Sequence, residues 1–79
     1  MDPSNRKTLE KIFKIVLDLP ENENWSEVRK LNHPKWDSLA NVSLIAAIES
    51  EFDLKLDVAD AESVSSFEAV EYLLSDKGL

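Results

Sequence analysis

Residues 36–53 read Trp36-Asp37-Ser38-Leu39-Ala40-Asn41-Val42-Ser43-Leu44-Ile45-Ala46-Ala47-Ile48-Glu49-Ser50-Glu51-Phe52-Asp53. The run holds neither proline nor glycine, sets an aspartate and a serine directly after its opening tryptophan, and closes among acids. At 3.6 residues per turn, Leu39, Val42, Leu44, Ile45, Ala46, Ile48 and Phe52 cover a wide arc of a helix. Asp37 is suited to cap it, because a short acidic side chain accepts the unpaired N–H groups of a first turn. The spacing therefore predicts a helix from Ser38 to Phe52, central to the core.

Outward from that helix, the remaining elements follow. Leu9, Ile12, Phe13 and Val16 fall at i, i+3, i+4 and i+7, which predicts a first helix over 4–18 that Pro20 stops. Between Pro20 and Pro34 no apolar period is sustained, so a long loop is expected, with one helical turn at most, pinned by Trp25, Val28 and Leu31. Leu54 to Asp57 alternates too briefly for a strand and has no partner run, which leaves an extended connector. Val58 to Glu62 suits one short helix. Ser65, with Glu68 three positions on, has the spacing of a capping box for a final helix through Ser75, with Phe67, Val70 and Leu74 inward. The fold class is all-α, a small four-helix bundle with a long first loop and a short third helix, in a single domain over 1–79. Phe13, Ile45, Phe52, Phe67 and Leu74 form the expected core.

Composition narrows the function. With 79 residues and no cysteine, the chain has no disulfide framework or thiolate zinc site to support its modest core. The net charge of −7 is uneven: residues 1–35 carry +1 and residues 36–79 carry −8. Such a surface repels phosphate backbones, so nucleic acid is not an expected partner. The opening Met1-Asp2-Pro3-Ser4-Asn5 lacks the basic and apolar blocks of a secretory leader, and no stretch approaches the ~20 apolar residues of a membrane span. A cytoplasmic monomer away from membranes is expected.

Asp37-Ser38-Leu39 at a helix mouth, followed by Glu49-Ser50-Glu51-Phe52-Asp53 within a chain of this length, resembles the acyl carrier protein family over essentially all of the sequence. The resemblance implies that Ser38 is the attachment point of 4'-phosphopantetheine, with Asp37 and Leu39 as its motif neighbours. The thiol of that group would carry acyl intermediates as thioesters, and the chain would contribute no catalytic residue. It also implies a phosphopantetheinyl transferase, acyl-loading enzymes, and acyl-transfer or synthase enzymes as partners. Physical chemistry agrees with the position, since free N–H groups and the helix dipole favour a phosphate at a first turn. A peptidyl or aminoacyl carrier is the near alternative. An unmodified acidic interaction module, with Ser38 as a plain capping-region residue, is the distant one.

Two departures point away from housekeeping fatty-acid synthesis and toward a specialised pathway. Pro34-Lys35-Trp36 stands where many such carriers have small residues, and the expected outward strip of Ala40, Ser43, Ala47 and Ser50 with Glu51 is mostly uncharged. Trp36, Ala40, Ser43, Ala47 and Glu51 are thus candidate partner contacts, with core packing as the competing role of Trp36. By the same resemblance, Val42, Ala46, Leu56, Ala61 and Val64 are candidates to line a space for acyl cargo.

Other constellations fail on spacing. His33, Asp37 and Ser38 are adjacent without the Gly-x-Ser-x-Gly elbow of a hydrolase. Asp53, Asp57, Asp60 and Glu62 miss the alternation and the central glycine of a calcium loop, so no metal is expected. The only glycine is Gly78, which leaves no phosphate-cradling loop.

Overall fold

The computed structural model describes residues 1–79. Asp2 opens the first helix, where its carboxylate accepts the N–H groups of Ser4 and Asn5, each at 3.1 Å, and Pro3 occupies a position that needs no N–H donor. α1 runs Pro3–Leu17 and α2 runs Ser38–Phe52; the short α3 is Val58–Glu62 and α4 is Phe67–Asp76. The fold is all-helical, as the periodicity predicts. The end of α1 differs in cause from the expectation. Pro20 does not stop it; Asp18 turns left-handed at φ 54° and returns its N–H to Lys14, and Asp53 ends α2 the same way at φ 51°.

The long loop is more ordered than its sequence suggests. It makes two 3₁₀ turns, Trp25–Glu27 and Lys30–Asn32, and Arg29 between them forms an antiparallel bridge with Ser66. The N–H of Lys30 donates to Ser65 and the N–H of Phe67 donates to Val28, both at 2.9 Å. This bridge holds Ser66 extended, and Ser66, not Ser65, caps α4 by accepting the Ala69 N–H at 2.9 Å. The Ser65–Glu68 capping box is thus replaced by one residue's shift, made by a long-range pairing that local spacing does not reveal. Val28 is buried and Trp25 half-buried, but Leu31, expected to pin the loop, is 94% exposed.

The core is built around Phe13. Its ring meets Trp25, Trp36 and Phe67 edge-on, with centroids 6.4, 5.4 and 5.1 Å away, and Trp25 lies against Phe67 at 4.3 Å. Edge-on contacts set the positive rim of one ring against the negative face of the next. Leu9, Ile12, Leu17, Leu44, Ile48, Val70 and Leu74, with Val28 of the loop and Val64 before α4, complete the buried set around these rings, so Val64 is a core residue first. Ile45 and Phe52, expected within the core, are only partly buried at its margin. Arg6 ties α1 to α4 by pairing with Glu71 and by standing 5.4 Å above the Phe67 ring.

α3 is held differently, because none of its own residues is buried. Asp57 and Asp60 form a reciprocal capping box across its first turn. Glu49 of α2 accepts the Leu56 N–H at 2.9 Å just upstream. Lys77, beyond α4, pairs with Asp60 at 2.9 Å. The hydrogen bond from Lys77 holds the Asp60 carboxyl below its ordinary 3.8, and the same bond raises Lys77 above 10.5.

Two outcomes are expected. Phe67→Ala should lower the unfolding free energy by about 3–5 kcal/mol in urea denaturation. Lys77→Met should be less stable than the parent chiefly between those two limits. The Asp60 contribution is present above pH 3.8 and is lost as pH falls through its depressed folded value. The Lys77 contribution is full below 10.5 and is lost as pH rises through its raised folded value. Melting temperatures across pH should show the two curves meeting at both extremes; a constant gap would disprove the pairing.

Candidate functional site

Ser38 stands at the first position of α2, exposed to solvent. Asp37 precedes it in an extended conformation, and its Oδ1 accepts the Ala40 N–H at 2.9 Å while its backbone carbonyl accepts that of Asn41. The N–H groups of Ser38 and Leu39 find no acceptor within the chain, and the Ser38 hydroxyl makes no internal hydrogen bond. The result is an accessible nucleophilic oxygen at the positive end of a helix dipole, beside two unsatisfied donors. Such an arrangement favours a negatively charged group at this end of α2.

What holds the serine outward is the residue two positions before it. Trp36 is 3% exposed and inserted against Phe13, and its Nε1 donates to Asn41 Oδ1 at 2.9 Å. The indole thereby clamps the loop's end to the first turn of α2, and Asp37 and Ser38 bulge between the two anchored points. Burial corrects the reading of Trp36 as a partner contact: its surface is spent on the core, where an indole gains most. Lys35, just before it, reaches Asp18 at 3.0 Å.

The outward face of α2 is rotated from the one expected. Ala40 and Ala47 are half-buried against the core, in line with the fully buried Leu44 and Ile48, so neither belongs to the solvent strip. Leu39 and Val42 are 76% and 64% exposed, and Ser43, Ala46, Ser50 and Glu51 share the exposed side. The physical reason is that apolar residues surround this helix almost completely, so the pattern alone does not select the buried stripe. Packing of Leu44 and Ile48 does.

The candidate cargo-lining residues are not brought together. Ala61 and Val64 line one groove of about 490 Å³ with Lys30, Asn41 and Val58. Ala46 lines a separate one beside Glu49 and Leu54. Val42 points to solvent, and Leu56 is half-buried at the core margin. Residues the sequence did not single out include Asn41, the clamp's acceptor, and Arg29 and Lys30, which line an open groove with Leu31, Ser65 and Glu68. No motif marks Asn41; adjacent cations in an acidic chain were the one available sign of the others. No group of His, Cys, Asp and Glu side chains is arranged to hold a metal ion.

These features define a four-helix fold with an exposed serine at the mouth of its second helix. No family model matches the chain. Among solved structures, it is similar to the holo acyl carrier protein from Nitrosomonas europaea, determined in solution by NMR, with a TM-score of 0.77 and 27% identity. The match covers 98% of this chain and 96% of the other. The likeness to acyl carrier proteins, legible first at Asp37-Ser38-Leu39, therefore extends through the whole fold, and it supports a carrier protein role.

Trp36→Phe keeps a ring in the core but removes the donor to Asn41. It should cost about 1–2 kcal/mol in stability and should quicken amide hydrogen exchange in residues 37–41 more than elsewhere.

Proposed function

We propose that the chain is an acyl carrier protein whose Ser38 bears 4'-phosphopantetheine. The observation that carries this reading is the exposed, unbonded Ser38 hydroxyl at the α2 N-terminus, within a fold similar to that of a holo acyl carrier protein. In the modifying reaction the Ser38 oxygen attacks the phosphorus that carries the pantetheine portion of coenzyme A. An O–P bond to serine forms, the bond to 3',5'-ADP breaks, and the serine proton passes to a base of the transferase. Asp37 contributes twice: Oδ1 fixes the first turn, and Oδ2, free of hydrogen bonds within the chain, faces the transferase's cationic groups. The Ser38 and Leu39 N–H groups then stabilise the phosphodiester, offsetting repulsion from Asp37.

When bound, the group supplies a thiol that holds acyl units as thioesters on a flexible tether. The chain's own residues do the rest. α2 presents that attachment point at a fixed angle, and Leu39, Val42 and Ser43 offer an uncharged contact face for a partner enzyme. No helix is long and apolar enough to cross a membrane, and we place this carrier in the cytoplasm, as one domain working as a monomer between loading and acyl-transfer or synthase enzymes. The uncharged α2 face favours a specialised pathway over one steered by acids on that helix.

Incubation with coenzyme A and a promiscuous phosphopantetheinyl transferase should add one phosphopantetheine per chain by intact mass, and Ser38→Ala should add none. A wild-type mass that stays unchanged would refute the proposal and favour an unmodified interaction module.

A further inference from the structure

We infer that Asn41 receives the prosthetic arm, its Nδ2 donating to the carbonyl of the arm's first amide and so laying the root of the arm along the groove between α2 and α3. This rests on the carrier reading above and adds to it a contact for the arm itself, separate from any acyl cargo.

The indole fixes which way the Asn41 amide faces. An indole N–H can only donate, and the 2.9 Å bond from Trp36 Nε1 ends on Asn41 Oδ1. A flipped amide would set donor against donor. Trp36 is buried, so its N–H would then be left without an acceptor, at the full desolvation cost of a buried donor. The oxygen therefore stays with the indole, and Nδ2 is turned away from it.

That Nδ2 is singular in this chain. There is no glutamine, and of the five asparagines Asn22, Asn24 and Asn32 are exposed to water. Asn5 is half-buried, but its Nδ2 donates to the Leu79 carbonyl at 3.1 Å. Asn41 is half-buried too, and its Nδ2 has no acceptor within the chain. It is the one sheltered amide whose donor is unused.

Its place matches the chemistry of the arm. Asn41 follows Ser38 by three residues on α2, a spacing that sets side chains about 5–6 Å apart on one helix surface. It also lines the groove of about 490 Å³ whose apolar wall is Val58, Ala61 and Val64. In pantetheine the phosphate is followed by a carbon bearing two methyl groups, then a hydroxyl-bearing carbon, then an amide carbonyl. With the arm turned toward α3, the methyl groups meet Val58 and Ala61 while the carbonyl meets Nδ2. A single neutral hydrogen bond is weak against water, but attachment at Ser38 makes the encounter intramolecular. The root of the arm is thereby biased to the α3 side, and the thiol end stays free for partner enzymes.

The test compares the unmodified chain with the chain carrying unacylated phosphopantetheine, each confirmed by intact mass, using ¹H–¹⁵N and methyl NMR. Attachment should move the Asn41 side-chain NH2 signals downfield and leave those of Asn5, Asn22, Asn24 and Asn32 in place. Nuclear Overhauser contacts should join the arm's two methyl groups to the methyl groups of Val58 and Ala61. In loaded Asn41→Asp an oxygen still faces the indole while the donor is gone, so the Trp36 indole N–H should stay protected from exchange and the methyl contacts should vanish. Loaded Asn41→Leu, which adds no charge, should lose those contacts too. Asn41 signals unmoved by the arm, or methyl contacts that survive in either variant, would overturn the inference, while one added arm per chain would leave the carrier reading intact. A parent chain that gains no arm would defeat the carrier reading and this inference with it.

Discussion

Insertion of Trp36 beside Phe13 is the contact on which the arrangement of this protein depends. Phe13 gathers one ring from the early loop, one from the loop's end and one from α4. A loop of twenty residues between α1 and α2 would otherwise lose its ordering free energy to chain entropy. Two tryptophans offset that loss with large apolar area, and the indole N–H of the second is not left without a partner, because Asn41 takes it. The consequence reaches the surface. With Trp36 fixed inward and α2 beginning immediately after, Asp37 and Ser38 have nowhere to lie but outside.

Around this apolar centre the polar interactions divide the labour. α1, α2 and α4 are placed by buried side chains, and ion pairs such as Arg6 with Glu71 refine their contacts. α3 has no fully buried residue and is located by hydrogen bonds and charge: the Leu56 N–H to Glu49, the Asp57–Asp60 box, and Lys77 to Asp60. A five-residue helix has little intrinsic stability, so these ties decide where it rests. The exposed side of α2 is uncharged from Ser38 to Ser50 and gains a carboxylate only at Glu51, Glu49 being turned to the Leu56 N–H.

Much of the candidate site was legible because it is local. Asp37 capping Ala40 is a three-residue relation, and the helix that begins at Ser38 follows from an apolar run without breakers. The Ser66 cap, the Trp36–Asn41 clamp and the grouping of Arg29 and Lys30 with Ser65 were not legible. Each depends on residues brought together from distant parts of the chain or on which way a side chain turns. Leu31 shows the limit from the other side: a leucine at plausible spacing stands almost wholly in solvent, because the bridge at Arg29 and the turn after it set its direction.

By itself the sequence determined the number, order and approximate bounds of the helices, and a serine at the mouth of the second, since periodicity and capping act over a few residues. Only the tertiary structure decided which side of α2 is buried and whether Trp36 faces a partner or the core. Apolar residues nearly encircle α2, so many rotations are alike in pattern, and the choice among them is made by fitting Leu44 and Ile48 into a close-packed core.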